Sequence, residues 1–153
     1  MRTRAITLLV VFGAALVLSG LLLFLTDPGI QVAPVEELVA RRTDAVAYFT
    51  LDYVFVVVYA VAGPIALWRF GTTLGRVPSS VLVAALALVA GGIVDAVENT
   101  LLLTASSSGS ASSVELAHAL ALPKYALGGL GFLLSLRAVG LAIRALRGSG
   151  GEG

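Results

Sequence analysis

Apolar residues fall along this chain in four long blocks separated by short polar stretches. A run of about 20 apolar residues is enough to cross a bilayer core. Hydrocarbon offers no partner to backbone N–H and C=O groups, so a crossing run must be a helix or part of a closed barrel. A barrel would show alternating segments of roughly ten residues, and none is present. The pattern therefore predicts an all-α fold, a polytopic four-helix bundle, with helices over about 5–25, 45–68, 80–104 and 113–144.

The breaks between blocks carry their own signals. The first block ends at Thr26-Asp27-Pro28-Gly29, a turn sequence. Arg2 and Arg4 precede this block, as in a signal peptide, but signal cores run about 7–15 residues. The block is longer and no clear small-x-small site follows it, so a retained helix is expected. Pro34-Val-Glu-Glu-Leu-Val-Ala-Arg-Arg42 reads as a short helix at the membrane interface, with an irregular loop as the alternative. Glu37 and Arg41 stand four apart in the favourable order. Pro64 is expected to kink or loosen the end of the second helix. Trp68 and Arg69 read as its interfacial anchor, and a short loop with Arg76 and Pro78 follows. Ala105 to Ser113 is almost all Ser, Ala and Gly, and reads as a flexible loop. Ser112-Ser113-Val114-Glu115 fits a capping box that would start the fourth helix near Ser113. That helix runs to Arg144 or Arg147, too long for the bilayer core alone. The Gly/Ser-rich tail, 148–153, reads as disordered, leaving one transmembrane domain over 1–147.

Composition strengthens the membrane reading. Of 153 residues 58% are hydrophobic and 12% charged, against about 25% charged in a soluble domain. So few charges cannot cover a water-facing surface, which predicts a multi-pass protein of the cell membrane. A net charge of +1 gives no electrostatic case for nucleic acid. The absence of cysteine excludes disulfides and thiolate metal sites, and a single histidine cannot build a multi-histidine site. Basic residues set orientation. With both termini cytoplasmic, the inner side holds Arg2, Arg4, Arg69, Arg76, Arg137, Arg144 and Arg147, and the outer side only Arg41 and Arg42. An N-in, C-in topology follows.

Five polar residues interrupt the blocks: Asp52 in the second helix, Asp95, Glu98 and Asn99 in the third, and Lys124 in the fourth. An ionisable group at the bilayer centre costs roughly 2.5–3.5 kcal/mol on insertion scales and usually faces a cavity or partner. At about 1.5 Å per residue, Asp52 lies roughly 10 Å, Glu98 roughly 9 Å, Asp95 roughly 13 Å and Lys124 roughly 10–14 Å from the outer helix ends. A common depth predicts one cluster in the outer half of the bilayer, opening outward. Helical spacing gives the same answer. Tyr48, Asp52, Tyr59 and Gly63 share a face, with Phe55 beside it. So do Ala84, Ala87, Gly91, Asp95, Glu98 and Leu102, and so do Lys124, Gly128, Gly131 and Ser135. Small residues permit close helix approach, so the faces that carry charge are expected to pack tightly on their inner side. Lys124 is the only lysine, and His118 stands one to two turns above it. Three acids against one lysine leave an excess, so at least one carboxylate is expected to be neutral or to hold a cation.

The same residues carry a resemblance. Leu51-Asp52-Tyr53 with Phe55 and Tyr59, then Asp95-Ala-Val-Glu98-Asn99, then Lys124-Tyr125, resemble the motifs of a family of uncharacterised bacterial four-helix membrane proteins. That pattern has Leu-Asp with an aromatic, Asp-x-x-Glu-Asn, and Lys followed by an aromatic, in its last three helices. The departures are Tyr125, where the pattern has Trp, and Pro123 just before the lysine. The resemblance supports the cluster and implies no activity.

Several functions fit these residues. The first is a site for an apolar or lipid-like small molecule reached from the outer leaflet, with or without acid/base catalysis. Asp52 and Glu98 would exchange protons, and Lys124 would be their electrostatic partner. Asp95, Asn99, Tyr48, Tyr59, Tyr125 and His118 would contact or orient the ligand. No motif selects a reaction or a cofactor. The second is proton- or cation-coupled transport by a homo-oligomer, against which no carboxylate continues into the inner half. The third is a structural or assembly protein whose cluster only locks helices together. A weaker fourth gives Asp52, Asp95, Glu98 and Asn99 a hard cation; no metal ligand set is assigned.

Overall fold

The computed structural model describes residues 1–74 and 77–148, so Arg76 and the tail beyond Gly148 lie outside the described residues. Within them the chain is helical, with no strand. The helices are α1 (Arg2–Leu25), α2 (Val35–Ala40), α3 (Arg42–Val57), α4 (Gly63–Gly71), α5 (Ser79–Ser108) and α6 (Ala111–Gly148). Four stretches are long and apolar enough to cross a membrane: α1, the continuous run Arg42–Leu74, α5 and α6. Large apolar side chains cover their outer surfaces, Phe24, Leu86, Ile93, Leu122 and Leu133 among them.

Helix α5 is the central element. It packs along α6 and against α3 and α4, and its buried face runs Ala84, Ala87, Leu88, Gly91, Asp95, Glu98, Leu102. Close approach requires glycine in two places. A Cβ on Gly91 would stand 2.9 Å from the backbone nitrogen of Gly128 on α6. A Cβ on Gly92 would stand 2.1 Å from the Cβ of Ala60. Helix α1 is peripheral and buries only Ala5, Leu8 and Leu22. Its N-terminal end is tied by Arg4, whose Nη1 donates to Thr72 Oγ1 at 2.9 Å and to the Arg69 carbonyl at 3.3 Å.

The second span is continuous but not uniform. Val58–Ala62, between α3 and α4, is π-helical, and the Gly63 N–H bonds back five residues to the Val58 carbonyl. Pro64 supplies the cause. It has no N–H for the Ala60 carbonyl, and its ring crowds that carbonyl. The chain answers the expected kink by widening one turn.

The connection between α5 and α6 overturns an expectation. The flexible loop expected over 105–113 is helical except for Gly109 and Ser110. The serines do not go to water: Ser106 donates to the Leu103 carbonyl at 2.8 Å, and Ser107 and Ser108 donate to Thr104 at 2.9 Å each. This i−3/i−4 back-bonding lets Ser ride in a helix. Gly109, at φ +72, closes α5 in the left-handed region open to glycine. Ser110, not Ser112, then caps α6, with its Oγ accepting from the Ser113 N–H at 3.3 Å. The extra turn on α5 puts Glu98 roughly 15 Å from the C-terminal end of that helix, not roughly 9 Å.

The first connection is built, not loose. Asp27 caps a 3-10 turn, Pro28–Val32, and Pro34 precedes α2. Ile30, Ala33 and Leu38 are fully or almost fully buried against Tyr48, Phe49, Leu102, Ala105, Val114 and Ala117. Arg41 pins this cap. Its Nη1 lies 2.8 Å from Asp27 and 3.2 Å from Glu37, and its Nε 3.3 Å from Asp44. Sequence spacing had offered only the Glu37 pair.

Candidate functional site

The structure brings Asp52, Tyr59, Asp95, Glu98, Asn99 and Lys124 into one connected group. Each comes from the face its helical spacing assigns. Lys124 Nζ on α6 stands 2.7 Å from Glu98 Oε2 and 3.3 Å from Asp95 Oδ1, both on α5. Tyr59, in the π-helical turn, donates its hydroxyl to Asp95 Oδ2 at 2.9 Å. Asn99 donates its Nδ2 to Asp52 Oδ2 on α3 at 2.7 Å. The group thus links three spans through α5, which packs against both α3 and α6.

Burial is nearly complete. Asp52 and Asp95 are 4% exposed, Glu98 2%, Lys124 5% and Asn99 0%. A buried charge must be paired, and Lys124 meets that need for two acids. Both oxygens facing it, Asp95 Oδ1 and Glu98 Oε2, accept no hydrogen bond of directed geometry. Asp52 has no ion-pair partner among the described residues. Asn99 Oδ1 is buried with no partner at all.

The group is a polar layer between two apolar ones. On one side lie Ala5, Leu8, Leu67, Phe70, Leu88 and Ala138. On the other lie the cap, the N-terminal ends of α3 and α6 and the C-terminal end of α5. The cup open at its outer rim, expected from sequence, is therefore closed by the cap. Neither of the two best-formed cavities contains the charged group. A 320 Å³ dent lies between α4 and α5 at Pro64, Trp68, Leu82 and Leu86. A 30 Å³ gap lies between α1 and the core, where it touches the Tyr59 ring.

Other expected residues sit at the margin. Tyr48 is buried, edge-on to Phe49 with ring centres 5.3 Å apart. Tyr125 is 64% exposed. Its ring centre lies 5.0 Å from Lys124 Nζ, and its hydroxyl donates to Gln31 of the cap at 3.4 Å. His118 is exposed and makes no ion pair among the described residues. No three His, Asp or Glu side chains among the described residues converge in the way a metal ion would need.

Sequence reasoning passed over Thr100 and gave Tyr53 only as part of a motif, yet their hydroxyls lie 2.6 Å apart beside the polar layer. They follow Asp52 and Asn99 by one residue each, and that shared offset was the available signal. Compared with protein-family models, curated proteins and solved structures, the chain matches none. The resemblance named above rests on its motifs alone.

Proposed function

We propose that this chain is a multi-pass protein of the cell membrane, with both termini cytoplasmic, that binds an apolar or lipid-like small molecule at the Asp52–Asn99–Lys124 layer. Asp52 and Glu98 exchange protons there with the ligand or its surroundings, and Lys124 holds the local charge. The carrying observation is the incomplete pairing of a buried polar layer: Asp52 has no counter-ion and Asn99 Oδ1 no donor. Unmet groups of this kind are costly in a water-free interior. A fold that needed only a helix clamp could use an apolar core instead. The ligand body lies in the outer leaflet, and its polar end reaches the layer.

The test is ligand retention. Wild-type protein purified in mild detergent is expected to carry an amphiphile visible by mass spectrometry, and Asp52→Asn with Glu98→Gln is expected to lose it. Equal retention by both proteins overturns the reading.

A second reading has its own observation. Lys124 joins α6 to α5, and Asn99 and Tyr59 join α5 to the second span. A pure lock predicts that a volume-matched apolar set at Asp52, Tyr59, Asp95, Glu98, Asn99 and Lys124 keeps function. Transport by an oligomer is less well supported, because the layer nearer the termini is apolar.

A further inference from the structure

We infer that the polar end of the ligand is a protonated primary amine, seated between Asp52 and Asn99 Oδ1. The inference rests on the ligand-site reading and names its chemistry. Asn99 carries the argument. Its Nδ2 is spent on Asp52 Oδ2, and its Oδ1, on the same fully buried carboxamide, has no partner. The missing partner is therefore a donor. Asp52 narrows it further: a buried carboxyl with no counter-cation is either neutral or paired with a charge that the ligand brings, and an ammonium supplies that charge. The lone lysine is held by Asp95 and Glu98, and no arginine lies in the layer. Counted as ionised, the three acids and Lys124 sum to −2, from −3 and +1. An ammonium brings this to −1, whereas a carboxylate or phosphate headgroup would take it further from balance. An alcohol would donate to Asn99 and leave Asp52 unpaired.

Geometry favours an ammonium over a bulky quaternary head. Three N–H donors on one small atom can reach Asp52 and Asn99 Oδ1 together, as they sit on side chains in direct contact. Tyr48, buried one turn before Asp52, offers an aromatic wall of the kind that attracts cations. The amine is an amphiphile whose tail stays in the hydrocarbon that the exposed apolar side chains of the spans face. A free ammonium ion shares the head chemistry.

The test uses full-length protein in zwitterionic lipid nanodiscs and needs no variant at first. Dodecylamine, dodecanol, laurate and dodecyltrimethylammonium are titrated separately, with thermal midpoint and calorimetric binding as readouts. Dodecylamine is expected to bind saturably and raise the midpoint, at least tenfold tighter than the other three. Ammonium chloride is the arm for the free ion. If it protects at the same concentration as dodecylamine, the head chemistry stands and the source is the ion. Asp52→Asn and Asn99→Leu are each expected to weaken dodecylamine at least tenfold while still melting cooperatively. Trp68→Phe, far from the layer, is expected to bind as wild type does. Equal binding of dodecanol or laurate overturns the amine preference. If that binding is lost in Asp52→Asn with Glu98→Gln, the ligand-site reading survives; if no amphiphile binds, both fall.

Discussion

Lys124 is the residue on which the polar layer turns. Replacing it with Met leaves Asp95 and Glu98 buried together without a cation. Removing one partner of a buried pair costs about 3–5 kcal/mol, so Lys124→Met is expected to lower the unfolding midpoint sharply. Adding Asp95→Asn and Glu98→Gln removes the stranded charges and is expected to recover most of the loss. A Lys124→Met protein as stable as wild type would show that the pair carries no weight. Close approach gives a second prediction. Gly92→Ala pushes a methyl to 2.1 Å from the Ala60 methyl, an overpacking expected to cost about 1–3 kcal/mol. Ala60→Gly should relieve it in the double variant. Gly91→Ala should have no such rescue, because its obstacle is the backbone of Gly128. Denaturation in detergent of the four proteins checks both statements. The charged residues were legible in sequence because each breaks an apolar run at a cost that demands a reason. The unpartnered oxygen of Asn99 was not legible, because a missing partner is a property of three-dimensional neighbours.

Among the elements, the cap between α1 and α3 departs most from expectation. Sequence gave grounds for a short helix there, with a loop nearly as good. It could not show Ile30, Ala33 and Leu38 sealing the polar layer, because burial of a loop depends on where distant helices end. The π-helical turn was legible only as trouble at Pro64. The α5–α6 connection was misread because Ser and Gly usually mean solvent, and here the serine hydroxyls bond back to their own helix. The cap can be tested through Arg41. The hydrogen bond from Arg41, and after it the Gly29 N–H, holds the Asp27 carboxyl below its ordinary value of 3.8. A carboxyl so lowered contributes from its unfolded value upward and loses that contribution as pH falls through the lower folded value. The latch is therefore expected to hold at pH 5 to 8 and to loosen only below about pH 4. Arg41→Ala should loosen it at neutral pH. Faster amide exchange over 27–41, with little change over α5, is the expected signature. Unchanged exchange would mean that apolar burial alone holds the cap.

At the scale of the whole molecule, the outward position of the layer depends on the orientation of the chain, for which the basic residues are the argument. The polar layer lies nearer the Ser108–Ala111 turn than the ends at Arg2 and Gly148 on three of the four spans. If the termini are cytoplasmic, Asp52, Glu98 and Lys124 face the outer leaflet; if not, the same geometry serves the inner one. The chain has no cysteine, so single cysteines report without background. Thr3, Ser107 and Gly148 are exposed and lie outside both apolar layers. In intact cells a membrane-impermeant maleimide is expected to label Ser107→Cys and to spare Thr3→Cys and Gly148→Cys until the membrane is opened. The reverse pattern would overturn the topology and move the ligand route to the cytoplasmic leaflet, while leaving the pairing of the layer as it is. Labelling of one terminus only would contradict an even number of crossings, and with it the four-span reading. This one measurement therefore separates the geometry of the site, which belongs to the fold, from the side of the membrane it serves, which belongs to the arginines.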